Sequence, residues 1–236
     1  MKINRYILCF LVTALIIGAT GCVRDTKTEI KSIELDDAKR VYINVIIGAG
    51  ELDIQSGSNK LMEGKFIYDV QEWKPPTIEY SKIGHDGRLN LEQSSSKNFF
   101  SISNGSSKWK LNLNKSISTD ISVFLGAGNG NLRLNGMNLE NVQVEMGAAK
   151  LDMDLSGDWK KDVIVNVEGG VGNANIILPK NIAVVVKVTN SIGNISADGF
   201  RLSGDSYVNE AYGKSDITMR VEIKSGIGET KLILSE

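Results

Sequence analysis

The chain has 236 residues, of which 42% are hydrophobic, with 24 glycines, three prolines and two cysteines. That apolar content supports a packed core and excludes a disordered chain. Its 27 basic and 28 acidic side chains give a net charge of −1, and setting Lys2 and Arg5 aside leaves −3, which is no electrostatic footprint for nucleic acid or an anionic membrane surface.

The N-terminus reads as a targeting segment. Lys2 and Arg5 precede a short apolar run over residues 6–17, and Gly18, Ala19, Thr20 and Gly21 supply small residues directly before Cys22. This is secretory signal architecture, and its apolar core is short for a membrane span. Small residues ending in a cysteine resemble a bacterial lipobox, which implies lipidation of Cys22. Ala19 departs from the leucine usual there, so cleavage near Gly21 without lipidation and an uncleaved anchor stay open. The other cysteine, Cys9, lies inside the signal, so the mature part has no thiol for a disulfide, a cluster or nucleophilic catalysis. Residues 1–21 are therefore expected to be a lipoprotein signal peptide and 22–32 a polar tether.

Residues 33–93 form a first module. Alternation at Val41-Tyr42-Ile43-Asn44-Val45 predicts a half-buried strand, and further strands are expected over 60–69, 77–80 and 88–92. Lys74-Pro75-Pro76 interrupts pairing and places Trp73 at a strand end, and His85-Asp86-Gly87 reads as a hairpin turn. Residues 94–108, rich in Ser, Asn and Gly, suit a loop or linker. Alternation resumes at Trp109-Lys110-Leu111-Asn112-Leu113 and continues over 109–236.

A glycine phrase recurs between alternating runs: GAGELDI at 48–54, GAGNGNLRL at 126–134, GAAKLDM at 147–153, GVGNANIIL at 170–178, SIGNIS at 191–196 and GIGETKLIL at 226–234. From Gly130 to Ala149, Gly172 and Gly193 the steps are 19, 23 and 21 residues, and the last, to Gly228, is 35. Glycine between strands marks a corner, so strand, corner, strand and turn at about twenty residues describe one coil of an all-β, β-solenoid-like stack. The competing architecture is a β-sandwich with hairpin turns. The long last step holds an insertion at 200–214, expected to cover strands near the C-terminal edge.

The segments EGKF at 63–66, EWKP at 72–75, WKLNLN at 109–114, LPK at 178–180 and YVNEAYGKS at 207–215, together with the GAG steps, resemble the toast-rack family of bacterial envelope proteins. The resemblance spans about 33–236. It implies a solenoid-like extracytoplasmic domain related to those of envelope stress-response and adhesin-like proteins, and it carries no catalytic site.

The residues themselves offer little chemistry. GAGNGN is followed by strand-like Leu132-Arg133-Leu134 rather than the helix N-terminus a phosphate loop requires. Asp152, Asp154 and Ser156 resemble half a calcium loop, but Val163 stands where the closing glutamate belongs and Lys160 opposes a cation, so no metal is assigned. Gly204-Asp205-Ser206 lacks a base, because His85, the only histidine, is remote in sequence. No cofactor is expected, and a carboxylate pair for sugar cleavage is the remaining enzymatic alternative.

Outward positions after the glycine steps give the candidate surface. Stacked by phrase, one column reads Glu51, Asn131, Lys150, Asn173, Asn194 and Glu229. The next reads Asp53, Arg133, Asp152, Asn175, Ser196 and Lys231. A solvated face is one reading of these columns, and a polar binding surface for an envelope glycan or protein is the other. Trp73 and Trp109 are candidates for a sugar platform or for packing at strand ends. The function expected is a lipid-anchored, non-catalytic binding or scaffold domain of the envelope. An accessory of the envelope stress response and a carbohydrate-active enzyme are the alternatives.

Overall fold

The computed structural model describes residues 25–94 and 107–236, and the regular elements within them are all strands. They are β1 (Thr26–Ile33), β2 (Arg40–Ser58), β3 (Met62–Asp69), β4 (Thr77–Ile83), β5 (Asp86–Glu92), β6 (Ser107–Asn114), β7 (Ser118–Arg133) and β8 (Leu139–Asp154). The chain continues through β9 (Val163–Val171), β10 (Ala174–Leu178), β11 (Ala183–Ile192), β12 (Ile195–Asp198), β13 (Arg201–Ser203), β14 (Ser206–Val208), β15 (Thr218–Ile227) and β16 (Thr230–Leu234).

Each rung bends at its glycine phrase. β2, β7 and β8 run through the corner unbroken, whereas Gly172, Gly193 and Gly228 separate β9 from β10, β11 from β12 and β15 from β16. The hydrogen-bonded network therefore has two faces. The front, before the corner, runs β4-β5-β2-β7-β8-β9-β15-β11-β14-β13, and the back, after it, runs β1-β3-β6-β2-β7-β8-β10-β16-β12. The rungs pair in parallel, as a stack of coils requires, so the hairpin sandwich is excluded.

Alternation supplies the core. Val41, Ile43, Val45 and Ile47 enter it from the front half of β2, and Leu52 and Ile54 from the back half, all nearly inaccessible. Their counterparts on the other rungs join one hydrophobic cluster. Each such side chain contributes about 1.5–3 kcal/mol through burial. Residues from 33–93 and from 109–236 share this core, because β2 pairs with β7 along nearly its whole length.

The corner needs glycine because backbones cross closely there. A Cβ on Gly128 would lie 1.9 Å from the carbonyl oxygen of Gly50, and one on Gly228 would lie 1.7 Å from that of Gly172. The middle residues of the phrase, Ala49, Ala127, Ala148, Val171, Ile227 and Ile192, stack in register along the outer edge of the corner.

The rungs do not stack in chain order. β15 pairs with both β9 and β11, so the last rung lies between the two that precede it in sequence. The insertion behind the 35-residue step lets the chain pass β11 and return. Its β13–β14 hairpin pairs antiparallel with β11 and covers that edge, as expected. Asn209 fixes the insertion: its buried amide donates to the Ile182 carbonyl at 2.7 Å and accepts from the Val184 N–H at 3.0 Å.

Two expectations about connecting segments are corrected. Residues 26–32 of the expected tether belong to β1, which pairs antiparallel with β3 on the side opposite β6. Ser107 and Lys108, expected in the linker, open β6. The hairpin turn is Gly84-His85, with Gly87 already in β5 opposite Lys82. The signal peptide and Cys22 lie outside the described residues, as does the linker from 95 to 106.

Candidate binding surface

On the back face, the register of the parallel strands sets which side chains share a row. Lys110, Asp53, Asn131, Asp152, Asn175 and Lys231 stand side by side on β6, β2, β7, β8, β10 and β16. The expected column therefore holds Asp53, Asp152 and Asn175, but Arg133 belongs one row further on, between Gln55 and Asp154. Gly130 causes the two-residue shift: it occupies the rung position of Leu52 and Leu151, where an alignment by the LRL run puts Leu132. The space a side chain would take at Gly130 is bounded by Leu125 and Leu151.

Arg133 still reaches Asp53 diagonally, donating to its Oδ1 at 2.8 Å and to Gln55 Oε1 at 3.1 Å. Asn175 donates to Asp152 Oδ1 at 2.7 Å, and Lys150 lies 2.8 Å from Oδ2 of the same carboxylate. Partial burial opposes ionisation of Asp152, but the hydrogen bonds from Lys150 and Asn175 outweigh it and lower its pKa. Thus the four polar residues of the expected site are committed to one another. A shallow cleft of about 330 Å³ beside them is lined by Asp53, Gln55, Arg133, Lys110, Asn112 and Gly64.

The tryptophans are not part of any surface. Trp109 is 1% exposed and meets Phe66 edge-on at 4.9 Å, and Trp73 is 2% exposed beneath the first corner, near Gly48. The sugar-platform expectation for both is corrected: alternation along β6 points Trp109 inward, and Trp73 is buried beneath the corner after the turn that follows β3. In the acidic turn, Asp154 Oδ1 accepts from the Ser156 N–H at 2.8 Å, and Asp152 is engaged as above. Asp205, in the β13–β14 turn, pairs with Lys187 at 2.7 Å.

The front face carries a row that the phrase-based reading passed over, because it lies before the glycines. Asn90, Asn44, Ser122, Gln143 and Asn166 stand in register on β5, β2, β7, β8 and β9. Glu79 and Glu222 bound this uncharged stretch at its two ends. Tyr42 and Phe124, both part-exposed, lie on opposite sides of it along β2 and β7. The Tyr42 ring is held by two guanidiniums, Arg40 at 4.9 Å and Arg88 at 5.6 Å from its centroid. Arg40 is itself anchored by Asp120 at 2.6 Å and Glu140 at 3.2 Å. Alternation at Tyr42-Ile43-Asn44 was legible in the sequence, but the strand partners that assemble the row were not.

The family model described as the N-terminal domain of toast_rack, DUF2154, matches residues 23–177. The chain belongs to the toast-rack family. A crystal structure of a "putative cell adhesion protein" from Clostridium sporogenes is 39% identical to this toast-rack chain and covers 89% of it and 100% of its own length, with a TM-score of 0.85. A "putative adhesin" from Bacteroides fragilis is 12% identical over 89% of this chain and 98% of its own, with a TM-score of 0.26. Among curated proteins none matches. Among the described residues of this toast-rack chain, no helix is long and apolar enough to cross a membrane.

Proposed function

We propose that this chain is a non-catalytic binding domain of the cell envelope, tethered through Cys22 and displaying a rigid, repeat-built surface to an extracellular partner. The supporting observation is the 39% identity, across nearly the whole chain, to a structure described as a cell adhesion protein. The fold suits display: parallel rungs on a shared core hold rows of outward side chains at fixed spacing, so a ligand meets a preorganised surface and little ordering entropy is lost on binding. The reading of Cys22 rests on the small residues before it, and acyl chains there would hold the domain at about 0.8 kcal/mol per buried methylene.

The test is capture from envelope fractions by the full-length chain after cross-linking. Reproducible recovery of one envelope protein or glycan supports the reading, and recovery of no partner contradicts it. Mass spectrometry of the mature N-terminus tests the tether separately, where an unmodified Cys22 would remove the anchor.

A further inference from the structure

We infer that the front-face row Asn90, Asn44, Ser122, Gln143 and Asn166 is a binding site for an extended, uncharged glycan, an inference that rests on the envelope-binding reading. Asparagine is disfavoured in strand interiors, because its side chain is short and polar and packs poorly on a pleated surface. Here Asn90, Asn44 and Asn166 lie in register on strands β5, β2 and β9. Elsewhere in the molecule Asn141 donates to Asp120, Asn175 to Asp152 and Asn209 to three carbonyls, while the Asn190 amide and the Asn112 Oδ1 are buried without a partner. Among the described residues, the side chains of Asn90, Asn44, Ser122 and Asn166 have no such partner, and Gln143 uses one donor on Glu145 at 2.7 Å. The row therefore sets local preference aside without an internal gain, and such departures concentrate at functional positions.

The chemistry of the row selects the ligand. Side-chain amides and a hydroxyl offer donors and acceptors together, the set that sugar hydroxyls match. Five neighbouring strands at about 4.8 Å spacing extend the row over about 19 Å, enough for several sugar units lying across the strands. Phe124 offers exposed apolar ring surface on one side for the C–H faces of the sugars, while the Tyr42 ring on the other side is stacked by Arg40 and Arg88. The row itself carries no charge, and of the charged groups beside it Arg40 is paired with Asp120 at 2.6 Å and Glu168 with Lys224 at 3.1 Å, so the uncharged amides are what an extended ligand meets. In the back-face row Asp53, Asp152 and Asn175 are already engaged, and two of the remaining three members, Lys110 and Lys231, are charged.

The test is calorimetric titration of the full-length chain, purified in detergent, with chitohexaose, cellohexaose and maltohexaose. Binding of at least one of them is expected, with affinity reduced at least tenfold in the double variant Asn44→Thr, Asn166→Thr. Threonine suits an exposed strand position, and unchanged circular dichroism and melting would confirm that the variant is folded. Arg133→Gln on the back face is expected to bind like the parent chain. No binding of any of the three at millimolar concentration, or undiminished binding by the double variant, overturns the inference. If envelope capture recovers a protein whose binding survives the double variant while no hexasaccharide binds, the glycan assignment falls and the broader reading stands. If capture also fails, both fall.

Discussion

Gly228 passes over Gly172 so closely that a Cβ on the former would lie 1.7 Å from the latter's carbonyl oxygen. The same contact recurs at Gly128, Gly172 and Gly193, with Ala149 in the equivalent place on β8, while the middle residue of the phrase varies from alanine to isoleucine. Gly228→Ala must displace a hydrogen-bonded backbone at a φ of +153°. A loss of about 2–4 kcal/mol is expected, read as a lower urea midpoint. Gly136→Ala, where nothing lies within 4 Å, is the comparison and is expected to cost only about 1 kcal/mol for its positive φ of 71°.

At the first corner β7 lies on one side of β2, and β5 and β6 pair with it on the other, before and after the corner. Between these two, the Gln93 side chain stands in for a strand: its Oε1 accepts from the N–H groups of Gly48 at 2.9 Å and Ala49 at 3.1 Å, and its Nε2 donates to the Ala49 carbonyl at 3.2 Å. Gln93→Leu leaves these backbone groups unpaired and is expected to lower stability by about 1–3 kcal/mol. Gln93→Glu keeps the acceptor and should recover part of that loss, and chemical denaturation of the three chains decides the point.

Carboxylates between rungs tie stability to pH. Hydrogen bonds from Lys161 and the Ser118 hydroxyl, outweighing partial burial, lower the pKa of Glu140, and the Thr218 N–H with Arg220 does the same for Asp162. A group with a lowered folded-state pKa takes up protons more readily in the unfolded chain. Its contribution is therefore whole above the ordinary carboxylate range of about 4 and is lost as pH falls through the depressed folded values. Melting temperature is expected to be flat from neutrality to about pH 5 and to decline below about pH 4. Glu140→Gln should shallow that decline, and an unchanged acid limb would show that Glu140 takes no part.

Asn209 is 1% exposed and joins the insertion to the start of β11 through the carbonyls of Pro179, Lys180 and Ile182. Asn209→Leu removes every one of these bonds. The expected result is faster proteolysis within residues 200–214, together with concentration-dependent association through the uncovered β11 edge. A digestion pattern like that of the parent chain would contradict this.

Much of this fold was legible. Alternation located the strands, and the glycine phrase located the corners, because both periods follow directly from backbone geometry. What escaped was pairing between distant segments. Leu132 imitates Leu52 closely enough to shift Arg133 by a row, and only the backbone register shows Gly130 in the leucine's place. The position of β15 between β9 and β11 has no local signature, since any of these rungs would present similar edges. Trp73 and Trp109 read as packing at strand ends or as a sugar platform, and their burial decides for packing. The amide row was hidden for the same reason: Asn44 and Asn166 are 122 positions apart in sequence, and only the stack makes them neighbours in one surface.

The central claim is that the front-face amides, and not the back-face row, meet the ligand. Side-chain amide resonances of the 15N-labelled chain during titration with the hexasaccharide that binds best report this directly. Shifts at Asn44, Asn90 and Asn166 with Asn175 unmoved are predicted, and shifts confined to Asn175 and its neighbours, or none at all, would contradict the account.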